Sequence, residues 1–102
     1  MSICAGVQIV TEGPAYDHAA FRPWRVMALA FKAIRRLHPT YDLWRDFAYE
    51  YEVGKLAIDV INGGPALREW VEDAAAGAAD LDAIASPDED AWAEERAPFL
   101  RY

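Results

Sequence analysis

The side chains able to do chemistry are few and scattered along this 102-residue chain. Glu50 and Glu52 stand two apart in Tyr49-Glu50-Tyr51-Glu52, a spacing that would put both carboxyls on one face of a strand for acid–base work. The same alternation describes a surface strand whose acids face water or a basic neighbour, and neither glutamate has the apolar surroundings that would raise its pKa. Glu50 is the better candidate of the two. Asp59 lies between Ile58 and Val60. A carboxylate in an apolar segment needs a partner, so Asp59 either caps the turn at Asn62-Gly63, pairs with Arg68, or reaches a pocket edge. Arg68 carries a planar fork suited to a carboxylate, whether that of a ligand or of a salt-bridge partner. Gly63-Gly64 ahead of a helix lacks the longer glycine pattern of a phosphate loop and reads as a turn.

The remaining candidates point away from cofactor chemistry. Cys4, His18 and His38 are too dispersed for a zinc site, and Cys4 in a strand-like segment reads as a small apolar residue rather than a nucleophile. No cofactor is expected. Of the four tryptophans, Trp24, Trp70 and Trp92 fall on helical apolar stripes, which leaves Trp44 as the one to test for contact with a sugar ring.

The elements that must carry these residues follow from period and punctuation. Ile3 to Thr11 alternates with β-branched residues and reads as a strand closed by Gly13-Pro14. Pro23 opens a long helix with Trp24, Met27, Phe31 and Ile34 on its apolar stripe and Arg25, Lys32 and Arg36 opposite, ended by His38-Pro39. Phe47 to Val53 alternates cleanly as a half-buried strand. Gly54-Lys55 then turns into Leu56 to Ile61 as a hairpin, with a short helical turn over Ile58 to Ile61 as the other reading. Asn62-Gly63-Gly64-Pro65 breaks the chain before a short helix that buries Leu67, Trp70 and Val71. Two helical segments close it, Leu81 to Ala85 and Pro87 to about Leu100, the second with Ser86 and Glu89 at capping-box spacing and Trp92 and Phe99 pointing inward. The expected fold is one α+β domain over residues 1–102, a small antiparallel sheet of two or three strands with about four helices on it, in the order β-α-β-(β)-α-α-α.

Composition narrows the partners. The net charge is −7, divided between a basic stretch, residues 1 to 38 at net +3, and an acidic remainder at net −10. With a pI near 4.6, a basic helix facing acidic neighbours is a better account than nucleic-acid binding. No apolar run approaches a membrane span, the first residues lack the pattern of a signal peptide, and the localisation is left open.

Taken in order, Cys4-Ala5-Gly6-Val7-Gln8-Ile9, Phe21-Arg22-Pro23 with Arg36-Leu37-His38-Pro39, Tyr49-Glu50-Tyr51, Ile58-Asp59-Val60-Ile61-Asn62-Gly63-Gly64 with Leu67-Arg68, and Phe99-Leu100-Arg101-Tyr102 cover nearly the whole chain. Together they resemble the C-terminal domain of the bacterial exo-β-N-acetylmuramidase glycoside hydrolases. The chain departs from that pattern at Ala5, Asn62 and Gly64, where the family has glycine, threonine and serine, and in a longer loop from Glu12 to Ala20. The resemblance implies a two-domain enzyme of peptidoglycan turnover, in which a Rossmann-like domain absent from this chain holds the catalytic carboxylate. This domain would then supply one wall of a pocket for N-acetylmuramic acid and an inter-domain surface, with no turnover by itself. Glycosidase carboxyls stand about 5–5.5 Å or about 6.5–9.5 Å apart, and Glu50 with Glu52 would meet only the wider spacing. The residues expected at the pocket edge are Glu50, Asp59 and Arg68, with Arg68 suited to the lactyl carboxylate of muramic acid. A stand-alone protein-interaction or muropeptide-binding module is the competing reading.

Overall fold

A computed structural model describes residues 6–46, 49 and 52–101 of the chain. Four α-helices form the body: α1 (Pro23–Leu37), α2 (Ala57–Asn62), α3 (Ala66–Glu72) and α4 (Ala78–Arg96), the last running into a 3-10 turn at Ala97–Phe99. Helix α3 lies at the centre and packs against each of the other three. Its Leu67, Trp70 and Val71 meet Ala28 of α1, Leu81 of α4 and Ala76 of the α3–α4 turn in one buried cluster, flanked by Trp24, Phe31, Trp44, Ile58 and Ile84.

The expected sheet is not there. Among the described residues the only β pairing is an isolated bridge between Tyr49 and Glu52, closed by the Glu52 N–H donating to the Tyr49 carbonyl at 3.0 Å. The α+β expectation is therefore corrected to a helical fold. Residues 6–12 take no regular secondary structure, pair with no strand among the described residues, and leave Val7, Ile9 and Val10 exposed. Alternation states which way side chains point, but only a neighbouring backbone turns it into a sheet. Residues 3–5 of the first expected strand, and residues 47, 48, 50 and 51 of the second, lie outside the described residues.

The expected third strand is helix α2. Ile58, Val60 and Ile61 favour a strand, but packing on α3 prevails, and Ala57 is buried on that side. The turn that follows fixes the choice. Gly63 adopts a left-handed φ of 82°, and the Gly64 N–H donates to the Asp59 carbonyl at 2.8 Å, so two carbonyls at the end of α2 are satisfied. A residue with a Cβ would be strained at that φ.

Pro23 sits in the first turn of α1 and the His38 N–H closes its end on the Ile34 carbonyl at 2.8 Å, as the sequence leads one to expect. One side chain on α1 departs from the stripe. Lys32, assigned to the polar side, is 5% exposed and enters the core. Its ammonium donates to the carbonyls of Trp70 at 2.6 Å and Asp73 at 2.7 Å, and lies 4.3 Å from the centre of the Trp70 ring. These carbonyls belong to the end of α3, and that of Asp73 also accepts from the Ala76 N–H at 3.1 Å, so the lysine caps one helix from another. Burial pushes its pKa below the ordinary lysine value, an effect that Arg36 reinforces.

Helix α4 replaces the two expected segments with one. The Gly77 N–H donates to the Asp80 carboxylate at 2.7 Å at its start, and Ser86 donates to the Asp82 carbonyl at 2.9 Å rather than capping a new helix. Pro87 lies inside it. Beyond Ala85 the helix leaves the core: Trp92 is 61% and Phe99 83% exposed, where inward positions were expected.

Replacing Lys32 by alanine takes the ammonium donor from the Trp70 carbonyl and leaves that of Asp73 with the Ala76 N–H alone, and should lower the unfolding free energy by about 1–3 kcal/mol in urea titration. Lys55→Ala, at an exposed site, should stay within about 0.5 kcal/mol.

Candidate functional site

Two of the three expected pocket-edge residues meet each other. Arg68 donates through Nε to Asp59 Oδ1 at 2.9 Å and Oδ2 at 3.1 Å, and through Nη2 to Oδ2 at 2.8 Å. The pair is half-buried and ties α2 to α3 across the Asn62–Pro65 turn. This hydrogen-bonded carboxylate is the main reason the Arg68 pKa is raised further. Asp59 thus has the partner that its apolar neighbours demand, and what the clasp positions is the glycine turn. Glu50 lies outside the described residues. Glu52 is exposed, with Lys55 3.9 Å from its carboxylate.

Trp44 is half-buried and engaged by the protein's own groups. The Trp44 indole N–H donates to Glu72 at 2.6 Å and its ring meets Phe31 edge-on at 5.8 Å. Arg35 joins the same Glu72 at 2.9 Å and donates to the Pro39 and Tyr41 carbonyls at 3.1 and 2.8 Å, so Trp44 pins the loop after α1. Trp24 is likewise half-buried and packs on the core cluster. Its indole N–H donates to Asn62 Oδ1 at 2.8 Å, and the side chain lines two adjoining clefts.

One cleft, of about 360 Å³, has Arg22, Pro23 and Arg25 on the α1 side and Ser86 and Glu89 on α4. The other, of about 380 Å³, runs from Trp24 over Asn62, Gly63 and Gly64 to Asp88 and Glu89. Trp24 and Glu89 belong to both. Arg22 is steadied by donating to the Ala19 carbonyl at 2.9 Å, while Arg25 forks onto Asp82 at 2.8 and 3.2 Å. The guanidinium holds the Asp82 carboxyl below the ordinary aspartate value. Among the described residues no three histidine, cysteine or acidic side chains gather as a metal site, and no helix is long and apolar enough to cross a membrane. His18 stands beside the Tyr16 hydroxyl at 3.2 Å, and Cys4 lies outside the described residues.

The family model described as exo-beta-N-acetylmuramidase NamZ, C-terminal, matches residues 1–102. The chain belongs to that family. No curated protein and no solved structure matches it. The NamZ match places the chain in a peptidoglycan muramidase context and accords with the ordered segments from Cys4 to Tyr102. The stripe position of Trp24 reads as core, and its side chain does pack on the core cluster while also lining the two clefts. Its place one residue after Pro23, at the start of α1, leaves it half covered.

Two changes test this geometry. Arg68→Lys keeps the charge but loses the fork, so the thermal midpoint should fall, and the amide signals of Gly63 and Gly64 should shift. Because the Asp82 carboxyl is held low in the folded state, its pairing stabilises above the ordinary aspartate pKa and is lost as pH falls through the folded value. Thermal midpoints followed between about pH 2 and 7 should therefore drop less steeply on the acid side in Asp82→Asn.

Proposed function

We propose that this chain is the non-catalytic companion of a Rossmann-like muramidase domain, carried in cis or as a separate chain. It supplies one wall of the pocket for N-acetylmuramic acid and the surface on which the two domains meet. The observation that carries the reading is the family match across residues 1–102. Two features of the molecule support it. Trp92, Phe99 and Leu100 line a cleft of about 610 Å³ on the outer part of α4, an apolar surface of the kind that another domain covers. The radius of gyration is 16.5 Å, whereas a compact domain of this length has about 13 Å.

In this reading residues 1–102 form a single domain, and the catalytic carboxylate stands on the partner. Asp59 and Arg68 act at the pocket edge by holding the Asn62–Pro65 turn, and Glu50 is the acid that would face the sugar.

Hydrolysis of a chromogenic N-acetylmuramide tests the division of labour. The 102-residue chain should give no turnover above background, and the catalytic domain should lose at least about tenfold in kcat/KM, about 1.4 kcal/mol, when this domain is deleted. Robust hydrolysis by the chain alone, abolished in Glu50→Gln, would overturn the proposal.

A further inference from the structure

We infer that residues 6–12 form a strap that closes over the outward side of α1, seating Val7 and Ile9 on Ala30, Ile34 and Leu37. The inference stands apart from the companion-domain reading, because it needs no second chain.

Helix α1 is turned against the usual rule, in which the apolar side of a helix meets the core. Arg25, Ala28, Lys32 and Arg35 recur at three- and four-residue steps and form the inward side. Arg25 meets Asp82, Ala28 lies in the core cluster, Lys32 caps α3 and Arg35 meets Glu72. Met27, Ala30, Ile34 and Leu37 recur at the same steps on the opposite side. Leu37 is 75% and Met27 44% exposed, and Ile34, half-buried, packs on no part of the core cluster. Acids and carbonyls of α3 and α4 draw the cations in, which leaves the uncharged side out, and apolar surface of this kind is costly to leave in water.

The strap fits this face in charge, reach and spacing. Gly6 to Thr11 carries no charge, and neither do Met27, Ala30, Ile34 and Leu37. Val7 is 74% exposed, and among the described residues none forms a hydrogen bond with residues 6–12. The strap's far end already stands beside the helix, since Val10 and Glu12 share a cleft of about 420 Å³ with Tyr16 and Phe21, and Phe21 comes two residues before Pro23. Gly13 supplies the hinge, at a φ of 104° with open space where a Cβ would stand. Residues 6–12, when extended, span about 23 Å, and the 15 residues of α1 rise about 22 Å. In an extended chain Val7 and Ile9 point the same way about 6.7 Å apart, close to the rise of about 6 Å from Ala30 to Ile34. The small side chains of Ala30 and Ala33 leave room for them. A second copy is a poorer occupant, because antiparallel pairing of two α1 helices sets Arg22 of one copy near Arg36 of the other.

Methyl–methyl NOEs in the ¹³C-labelled 102-residue chain test the closure. Val7 and Ile9 should show cross-peaks to Ile34 and Leu37. Leu37→Asp, at an exposed position outside the core, should abolish them and speed thermolysin cleavage within residues 6–12 at least about fivefold. Val53→Asp, at another exposed apolar position, should leave both the cross-peaks and the cleavage rate unchanged. Absence of the cross-peaks in the wild-type chain, or cleavage that Leu37→Asp does not accelerate, overturns the strap. So does their appearance only between labelled and unlabelled copies in a mixed sample, which would give the face to a second copy.

Discussion

The structure depends on an ammonium group drawn into the core. Lys32 joins the end of α3 to α1 through two carbonyl contacts of 2.6 and 2.7 Å and the face of Trp70. Desolvating a charge is costly, and it is tolerated here because the group finds two carbonyl acceptors at the end of α3, of which that of Asp73 is shared with the Ala76 N–H. The Trp70 ring beneath it is held by its own N–H donating to the Gly77 carbonyl at 2.8 Å. One side chain thus fixes the C-terminal end of a seven-residue helix that is too short to be stable unaided.

Once α3 is fixed, the cleft follows from the elements attached to it. Helix α1 reaches back along α3 and places Trp24 at one end. Asp59 and Arg68 hold α2 so that Asn62 meets the indole. Leu81, wholly buried against Trp70 and Val71, anchors the first half of α4 and thereby brings Glu89 over the opening. The ion pairs Arg25–Asp82 and Arg35–Glu72 lie outside this core and are partly exposed, so their role is alignment more than stability. The division of charge along the chain acquires a structural meaning here, since the basic helix faces acids of α3 and α4.

Local signals in the sequence were legible where one residue type dictates one conformation. Pro23 and His38-Pro39 bound α1, the Asn62–Pro65 break falls where expected, and Leu67, Trp70 and Val71 form the buried side of α3. The pairing of Asp59 with Arg68 was also among the readings, because an acid beside Ile58 and Val60 must have a partner. The sheet was misread because alternation in Gly6-Val7-Gln8-Ile9-Val10 and β-branching in Ile58, Val60 and Ile61 are local preferences that tertiary pairing decides. Lys32 escaped notice because charge is normally a surface signal; only the carbonyls at the end of another helix explain its burial. Trp92 and Phe99 have helical spacing appropriate to a core, yet the helix that carries them extends past the body.

That extension bears on the central claim, that this domain is completed by another. Backbone hydrogen exchange compared between the isolated chain and the two-domain protein tests it most directly. The account predicts that amides from Trp92 to Leu100 exchange fast in the isolated chain and become strongly protected when the catalytic domain is present, while those around Lys32, Trp70 and Leu81 are protected in both. Equal, fast exchange from Trp92 to Leu100 in the two proteins would contradict it.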